Sequence, residues 1–107
     1  MIDDDEIETA LHRLIALSDE LGAAAERAKK ADKMIGHTEA IQMKQCNESG
    51  IGAKQMFARA SQAYVNAINE DAAATGSLRA KMSEKDALES LITAWQTMKK
   101  AQQGPRP

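Results

Sequence analysis

The fold is decided by six residues near the middle of the chain, Asn47-Glu48-Ser49-Gly50-Ile51-Gly52. Two glycines able to adopt a positive φ make this stretch the candidate for a tight turn. Alanine triplets at 23–25 and 72–74 lie at equal distances from it, one on each side. A chain that reverses here brings the triplets together, so the sequence predicts a long antiparallel helical hairpin with its turn near 47–52.

Composition points to an all-α protein. Only 3 % of the 107 residues are aromatic. Helix formers such as Ala, Leu, Glu, Lys and Met dominate, while β-branched residues are sparse. We therefore predict a single helical-hairpin domain over residues 1–103, followed by a flexible tail at 104–107.

Each arm carries an apolar stripe with helical steps of three and four residues. The first arm begins with Asp3, Asp4 and Asp5, which suit an N-cap and a first helical turn. Its stripe is Ile7, Leu11, Leu14, Leu21, Ala25, Ala28 and Ile35, widened by Leu17, Ala24, Ala31 and Met34. The second stripe is Phe57, Ala60, Tyr64, Ala67, Asp71, Ala74, Leu78, Met82, Leu88, Leu91, Ile92 and Trp95.

The second arm leaves an alternative open. Thr75-Gly76-Ser77 is a candidate kink, and Ser83-Glu84-Lys85-Asp86 resembles a capping box. A break near residues 76–83, with a separate third helix from about 84, is therefore the alternative to one continuous helix.

Pairing the arms gives a register. Residues opposed in a hairpin have a constant sum of residue numbers, and a sum of 99 places Ile7 with Ile92 and Leu21 with Leu78. A sum of 97 or 98 brings the alanine triplets together. Apolar residues off the main seam need a partner, so we predict a homo-oligomeric helical bundle, with a dimer favoured. The predicted interface residues are Ile15, Ile41, Val65, Ile68 and Trp95.

Charge is unevenly distributed along the chain. Residues 1–26 contain eight acids and one base, whereas residues 27–59 contain seven bases and three acids. The candidate contacts for nucleic acid or another anion are Arg27, Lys30, Lys33, Lys54 and Arg59. Aromatic residues for base stacking do not alternate with these bases.

No motif predicts catalysis. His12 and His37 are too far apart for a helix-spaced metal pair, and Cys46 completes no zinc spacing. The stretch Gly50 to Lys54 lacks the length and the Ser or Thr of a phosphate loop. We expect no enzyme activity, no metal and no cofactor. The lone cysteine and the lack of a signal or apolar span favour a cytoplasmic protein with no membrane partner.

Three stretches resemble small helical-hairpin proteins of bacteriophages and prophages, which are often encoded near replication and recombination genes. They are residues 7–20, residues 60–64 and Leu91-Ile92-Thr93-Ala94-Trp95-Gln96-Thr97. The position after Trp95, basic in that group, holds Gln96 here. The resemblance implies a helical hairpin acting in the host-cell cytoplasm.

Three functional hypotheses follow. The leading one is a non-enzymatic phage-type binding protein, accessory to recombination or replication, that contacts a protein or DNA. The second is a counter-defence protein that blocks a host factor or sequesters a small nucleotide. The third is a secretion-type hairpin or chaperone, although the turn lacks the Trp-x-Gly of one such class.

Overall fold

A computed structural model describes residues 2–103 of the chain. It contains three helices, α1 (Asp4–Gln45), α2 (Ile51–Arg59) and α3 (Gln62–Gln103). No strand occurs within 2–103, so the all-α prediction is confirmed. The tail predicted at 104–107 lies outside the described residues. No described helix is both long enough and apolar enough to cross a membrane.

The start of α1 follows the capping rules. The side chain of Asp3 accepts a hydrogen bond from the backbone N–H of Glu6 at 2.8 Å. Asp4, Asp5 and Glu6 occupy the first turn. Carboxylates there favour the helix because the unpaired N–H groups carry positive partial charge.

The chain leaves α1 at Gln45 and enters α2 at Ile51, where the sequence predicts the turn. The turn does not use the positive φ that its two glycines, Gly50 and Gly52, are able to adopt. Gly50 is the N-cap of α2 with φ −175° and ψ 141°, an extended conformation open to any residue. Gly52 lies inside α2. Five residues separate α1 from α2, and neither Gly50 nor Gly52 adopts a left-handed conformation.

A second interruption occurs where the sequence predicted continuous helix. Ala60 and Ser61 separate α2 from α3. The hydroxyl of Ser61 donates to the carbonyl of Ala58 at 2.6 Å and accepts from the backbone N–H of Tyr64 at 3.2 Å. One serine therefore closes α2 and caps α3.

The alternative of a break near 76–83 is wrong, because α3 is continuous from Gln62 to Gln103. Gly76 lies within it, and an added Cβ there would meet nothing within 4 Å. A helical glycine costs only about 1 kcal/mol relative to alanine, which a long paired helix tolerates. Ser83 and Asp86 are internal helix residues and not a cap, so no third helix starts at 84.

Contacts divide the chain into two compact units. Unit 1 consists of the described residues of Met1–Gly22 and Arg79–Pro107, and unit 2 of Ala23–Leu78. Within unit 1, Arg13 of α1 pairs with Glu84 of α3. Within unit 2, Arg27 of α1 pairs with Glu70 of α3. The residue numbers add to 97 in both pairs, so each unit has the antiparallel register that the alanine triplets predict.

From Ala10 to Ala31, the buried residues of α1 follow a seven-residue period. Unit 1 buries Ile7, Ala10 and Leu17, and unit 2 buries Ala24 and Ala31 of the same helix. Unit 2 also buries Ala58 of α2 and Ala74 of α3. Leu17 is the largest side chain that is fully buried. Among the described residues, the buried ones of unit 2 are all alanines, so its core is thin, whereas unit 1 also buries the larger Ile7 and Leu17.

The predicted stripes were partly wrong about which residues face inward. Leu11 is 46 % exposed and Ala25 is also exposed, while Leu17 and Ala24, predicted only to widen the stripe, form the seam. The predicted stripe and the observed seam share the seven-residue period of paired helices but differ in phase. Leu14, Leu21 and Ala28 of the prediction are half-buried, and the buried positions come three residues after them, at Leu17, Ala24 and Ala31. On the second arm, Ala60 is exposed, as are two larger predicted members, Phe57 and Met82.

Candidate interaction surfaces

A network of charges joins α1 to α3 in unit 1. The guanidinium of Arg13 donates to Glu84 at 2.6 and 2.8 Å and also to Glu20. Lys81 donates to Glu20 at 3.0 Å. Hydrogen bonds from Arg13 hold the pKa of both carboxyls below their ordinary value, and Lys81 adds to the effect on Glu20. These groups satisfy one another, so the network holds the helices in register.

Trp95, a predicted interface residue, has partners within its own unit. Its indole N–H donates to the carboxylate of Asp4 at 3.1 Å. The ammonium of Lys99 lies 3.3 Å from the same carboxylate and 5.7 Å from the centroid of the Trp95 ring. The hydrogen bond from Trp95, followed by that from Lys99, holds the pKa of Asp4 below its ordinary value. The half-buried ring thus fastens α3 to the start of α1.

The other predicted interface residues are exposed. Ile15 is 71 % exposed in unit 1. Ile41, Val65 and Ile68 are each about two-fifths exposed in unit 2, at 40 %, 41 % and 40 %. Ile15 shares a helix face with Leu11, four residues before it. These side chains remain available to a partner.

The five predicted anion contacts differ in their surroundings. Arg27 donates to both carboxylate oxygens of Glu70, at 2.8 and 3.1 Å. Arg59 lies 3.5 Å from Glu39. Lys54 is half-buried, while Lys30 and Lys33 are exposed. Within residues 2–103, these three lysines have no ion pair.

A groove in unit 2 brings two of these bases together. It has a volume of about 450 Å³. Arg27 and Lys30 line it together with Thr38, Asn66 and the apolar Met34. Sequence reasoning predicted the bases but not the polar partners, because Asn66 is on another helix, about forty positions further along the chain.

The surface of α2 is the main feature that sequence reasoning missed. Ala58 is fully buried, which directs the opposite side of this nine-residue helix outward. Met56 is 76 % exposed and Phe57 is 46 % exposed, and Ala53 beside them is exposed too. We call Ala53, Met56 and Phe57 the α2 surface. The signal available in the sequence was Ser61, a residue type that favours helix N-caps. Its side chain separates α2 from α3, so the two helices do not share one buried face.

A second groove lies in unit 1, near the start of α1, with a volume of about 500 Å³. Its apolar lining is Ala10, Leu88 and Leu91. Its polar lining is Asp3, Asp5, Glu6, Thr9 and Arg13. We call it the N-terminal groove. Arg13 is already neutralised by Glu20 and Glu84, so the groove presents acids around an apolar floor.

The residues with reactive side chains form no cluster in the part of the chain that the structure describes. His12 and His37 are exposed. Cys46 is a half-buried free thiol whose sulfur accepts from the backbone N–H of Glu48 at 3.4 Å. Among residues 2–103, no group of three His, Cys, Asp or Glu side chains is placed to hold a metal ion.

In comparisons with protein-family models, curated proteins and solved structures, nothing matches this chain. The surfaces described above are therefore the basis for the proposals that follow.

Proposed function

We propose that this chain is a non-enzymatic helical binding protein, accessory to phage recombination or replication, that acts in the host-cell cytoplasm by docking a protein or DNA. The observation that supports it is the exposure of large apolar side chains on a helical framework. Ile15 and Met56 are both more than 70 % exposed, at 71 % and 76 %. Each has an exposed apolar neighbour on its own helix, Leu11 beside Ile15 and Phe57 beside Met56, and apolar surface of this kind is typical of an interaction site. The proposal includes a homo-oligomer, with a dimer favoured.

The accessible surface area supports a partner. It is 7671 Å² for a chain of 11.6 kDa. A typical folded monomer of this mass exposes about 5,800 Å². The surplus exceeds the roughly 800 Å² that each partner buries in a standard interface.

The test uses annealing and strand-displacement reactions carried out by a phage's own recombination and replication proteins. We expect the wild-type chain to change the rate of one of them. Ile15→Glu and Met56→Glu should abolish the effect if a protein docks on the apolar side chains, whereas Lys30→Glu with Lys33→Glu should abolish it if DNA binds. Ala40→Glu, on an exposed position of α1, is the control. An unchanged rate in both reactions would contradict the proposal.

DNA contact has its own readout. The two exposed lysines, Lys30 and Lys33, lack an ion pair within residues 2–103 and can neutralise phosphates. We expect a gel shift that weakens steeply as salt is raised, because binding releases counterions. Absence of a shift at low salt removes DNA and leaves a protein partner.

The groove in unit 2 favours one second candidate, sequestration of a small nucleotide as a counter-defence activity. Its volume of about 450 Å³ is in the range of ligand pockets. Lys30, Thr38 and Asn66 offer donors for a phosphate or a base. Arg27 is held by Glu70, which weakens this candidate. A thermal-shift screen over cyclic nucleotides tests it: a rise in melting temperature that Lys30→Ala abolishes supports it, and a flat screen removes it.

A further inference from the structure

The apolar α2 surface is flanked on the helix by two basic residues, Lys54 and Arg59. Ala53, Met56 and Phe57 project away from the buried Ala58. At 100° per residue, Lys54 lies beside Phe57 on the helix, and Arg59 lies beside Met56. Both bases have long aliphatic stems that can extend past an apolar contact and place their charge at its rim. Arg59 lies 3.5 Å from Glu39 of its own chain but keeps 56 % of its side chain exposed. This helix therefore suits a site with an apolar floor and an acidic rim.

The N-terminal groove has that chemistry. Leu88 and Leu91 are half-buried on its floor. Asp5 and Glu6 are exposed on its rim, and neither forms an ion pair within residues 2–103. Their charges are thus available to a basic partner. Burial of the floor by an apolar side chain removes both surfaces from water, which favours association.

We propose that α2 of one copy docks in the N-terminal groove of a second copy of this chain, with Met56 and Phe57 on the apolar floor and Lys54 and Arg59 facing Asp5 and Glu6. The inference rests on the proposed function and names the partner that covers these two surfaces. Three observations favour a second copy: complementary charge, apolar area on both surfaces, and a surface surplus larger than a standard interface needs. In a twofold pair, each copy would supply its α2 to the groove of the other, so that the contact would form twice.

Charge reversal on the full-length chain tests the contact. Variant A is Lys54→Glu with Arg59→Glu, and variant B is Asp5→Lys with Glu6→Lys. Lys29→Glu with Arg79→Glu is the control for variant A, since it makes the same change in net charge at exposed positions of α1 and α3. Sedimentation velocity at low salt measures the dimer. We expect variants A and B alone to dimerise at least about tenfold more weakly than the wild type.

Mixing variants A and B is the decisive measurement. In the mixed pair, the two glutamates introduced into α2 of variant A would face the two lysines introduced on the groove rim of variant B. The second contact of that pair would keep its native charges. The mixture should therefore dimerise with an affinity close to that of the wild type, although each variant alone dimerises weakly. This rescue distinguishes the contact from a loss of folding, because an unfolded variant would not be rescued by another.

A cross-link gives a second, independent readout. In a Cys46→Ser background, Phe57→Cys is mixed with Thr9→Cys, which lies on the groove rim. We expect a covalent dimer on a non-reducing gel well above that of either chain alone, and above a mixture of Phe57→Cys with the exposed control Ala40→Cys. Equal yields in both mixtures would overturn the proposal.

Three other results would also overturn it: a wild-type chain that stays monomeric at about 100 µM, where even a weak pair assembles; dimers unaffected by variants A and B; or no rescue on mixing. The proposed function is tested separately, by the rates of the annealing and strand-displacement reactions. A chain that changes those rates without forming this contact overturns only the docking of α2.

Discussion

Helices α1 and α2 place their apolar side chains in opposite directions. The seam of α1 turns Ile7 and Leu17 inward, at 4 % and 0 % exposure. The nine-residue α2 buries only Ala58 and leaves Met56 and Phe57 outside. The difference shows that apolar residues in one chain serve two purposes: those in the seam of α1 hold the fold, whereas Met56 and Phe57 on α2, like Ile15 on the outer face of α1, are available for binding.

The largest loss of stability is expected from truncating a side chain in the buried seam of α1. Leu17→Ala should lower the free energy of unfolding by about 2–5 kcal/mol, because it removes the largest fully buried side chain and leaves a cavity. Urea denaturation at concentrations too low for self-association measures it. Ile7→Val, expected to cost about 0.5–1.5 kcal/mol, covers the case in which Leu17→Ala does not fold.

The matched controls lie on exposed positions of the two helices. Ile15→Ala on α1 and Phe57→Ala on α2 should each change stability by no more than about 0.5 kcal/mol. A loss at Phe57 as large as the loss at Leu17 would mean that α2 is part of the core, and the contrast between the two helices would fail.

A smaller, stabilising effect is expected on the outer side of α1. Gly36 is exposed, and an added Cβ would meet nothing within 4 Å. Gly36→Ala should therefore raise the stability of the isolated chain by about 1 kcal/mol through helix propensity. Thermal melting is the measurement, and Ala40→Gly, the reverse change one turn later, should lower stability by a similar amount. If Gly36→Ala gave no gain, another surface would have to contact α1 at that position.

The smallest effect on stability is expected from the ion pairs that Arg13 forms with Glu20 and Glu84. The pKa of Glu20 and of Glu84 is lowered in the folded chain, so the contribution of these carboxylates is present above their ordinary pKa, near 4.5, and is lost as the pH falls through the lowered value. Arg13→Gln should therefore flatten the loss of stability on acidification. Urea midpoints between about pH 6 and pH 3 test this, with Lys29→Gln as the control, an exposed base. If Arg13→Gln left the fall of the urea midpoint at low pH unchanged, Arg13 would not contribute to stability through these carboxylates.

Much of the fold was predictable because local rules decided it. The Asp3 cap, the all-α composition and the turn after Gln45 each depend on a few neighbouring residues. The register was also predictable, since a hairpin imposes one constraint on many pairs. The candidate site was less predictable from the sequence. The exposed Ile15 and Ile68 were predicted as interface residues, whereas Phe57 was assigned to the core.

The sequence by itself determined two helical arms, the place where they meet and the antiparallel pairing that opposes Arg13 to Glu84 and Arg27 to Glu70. Only the tertiary structure decided which face of each helix is buried. Apolar and small residues follow a seven-residue repeat in more than one phase along α1, and contact between the helices selected Leu17 and Ala24 over Leu11 and Ala25. On α2, Ala58 was buried in place of Phe57 because the Ser61 cap ends that helix and frees its orientation from α3.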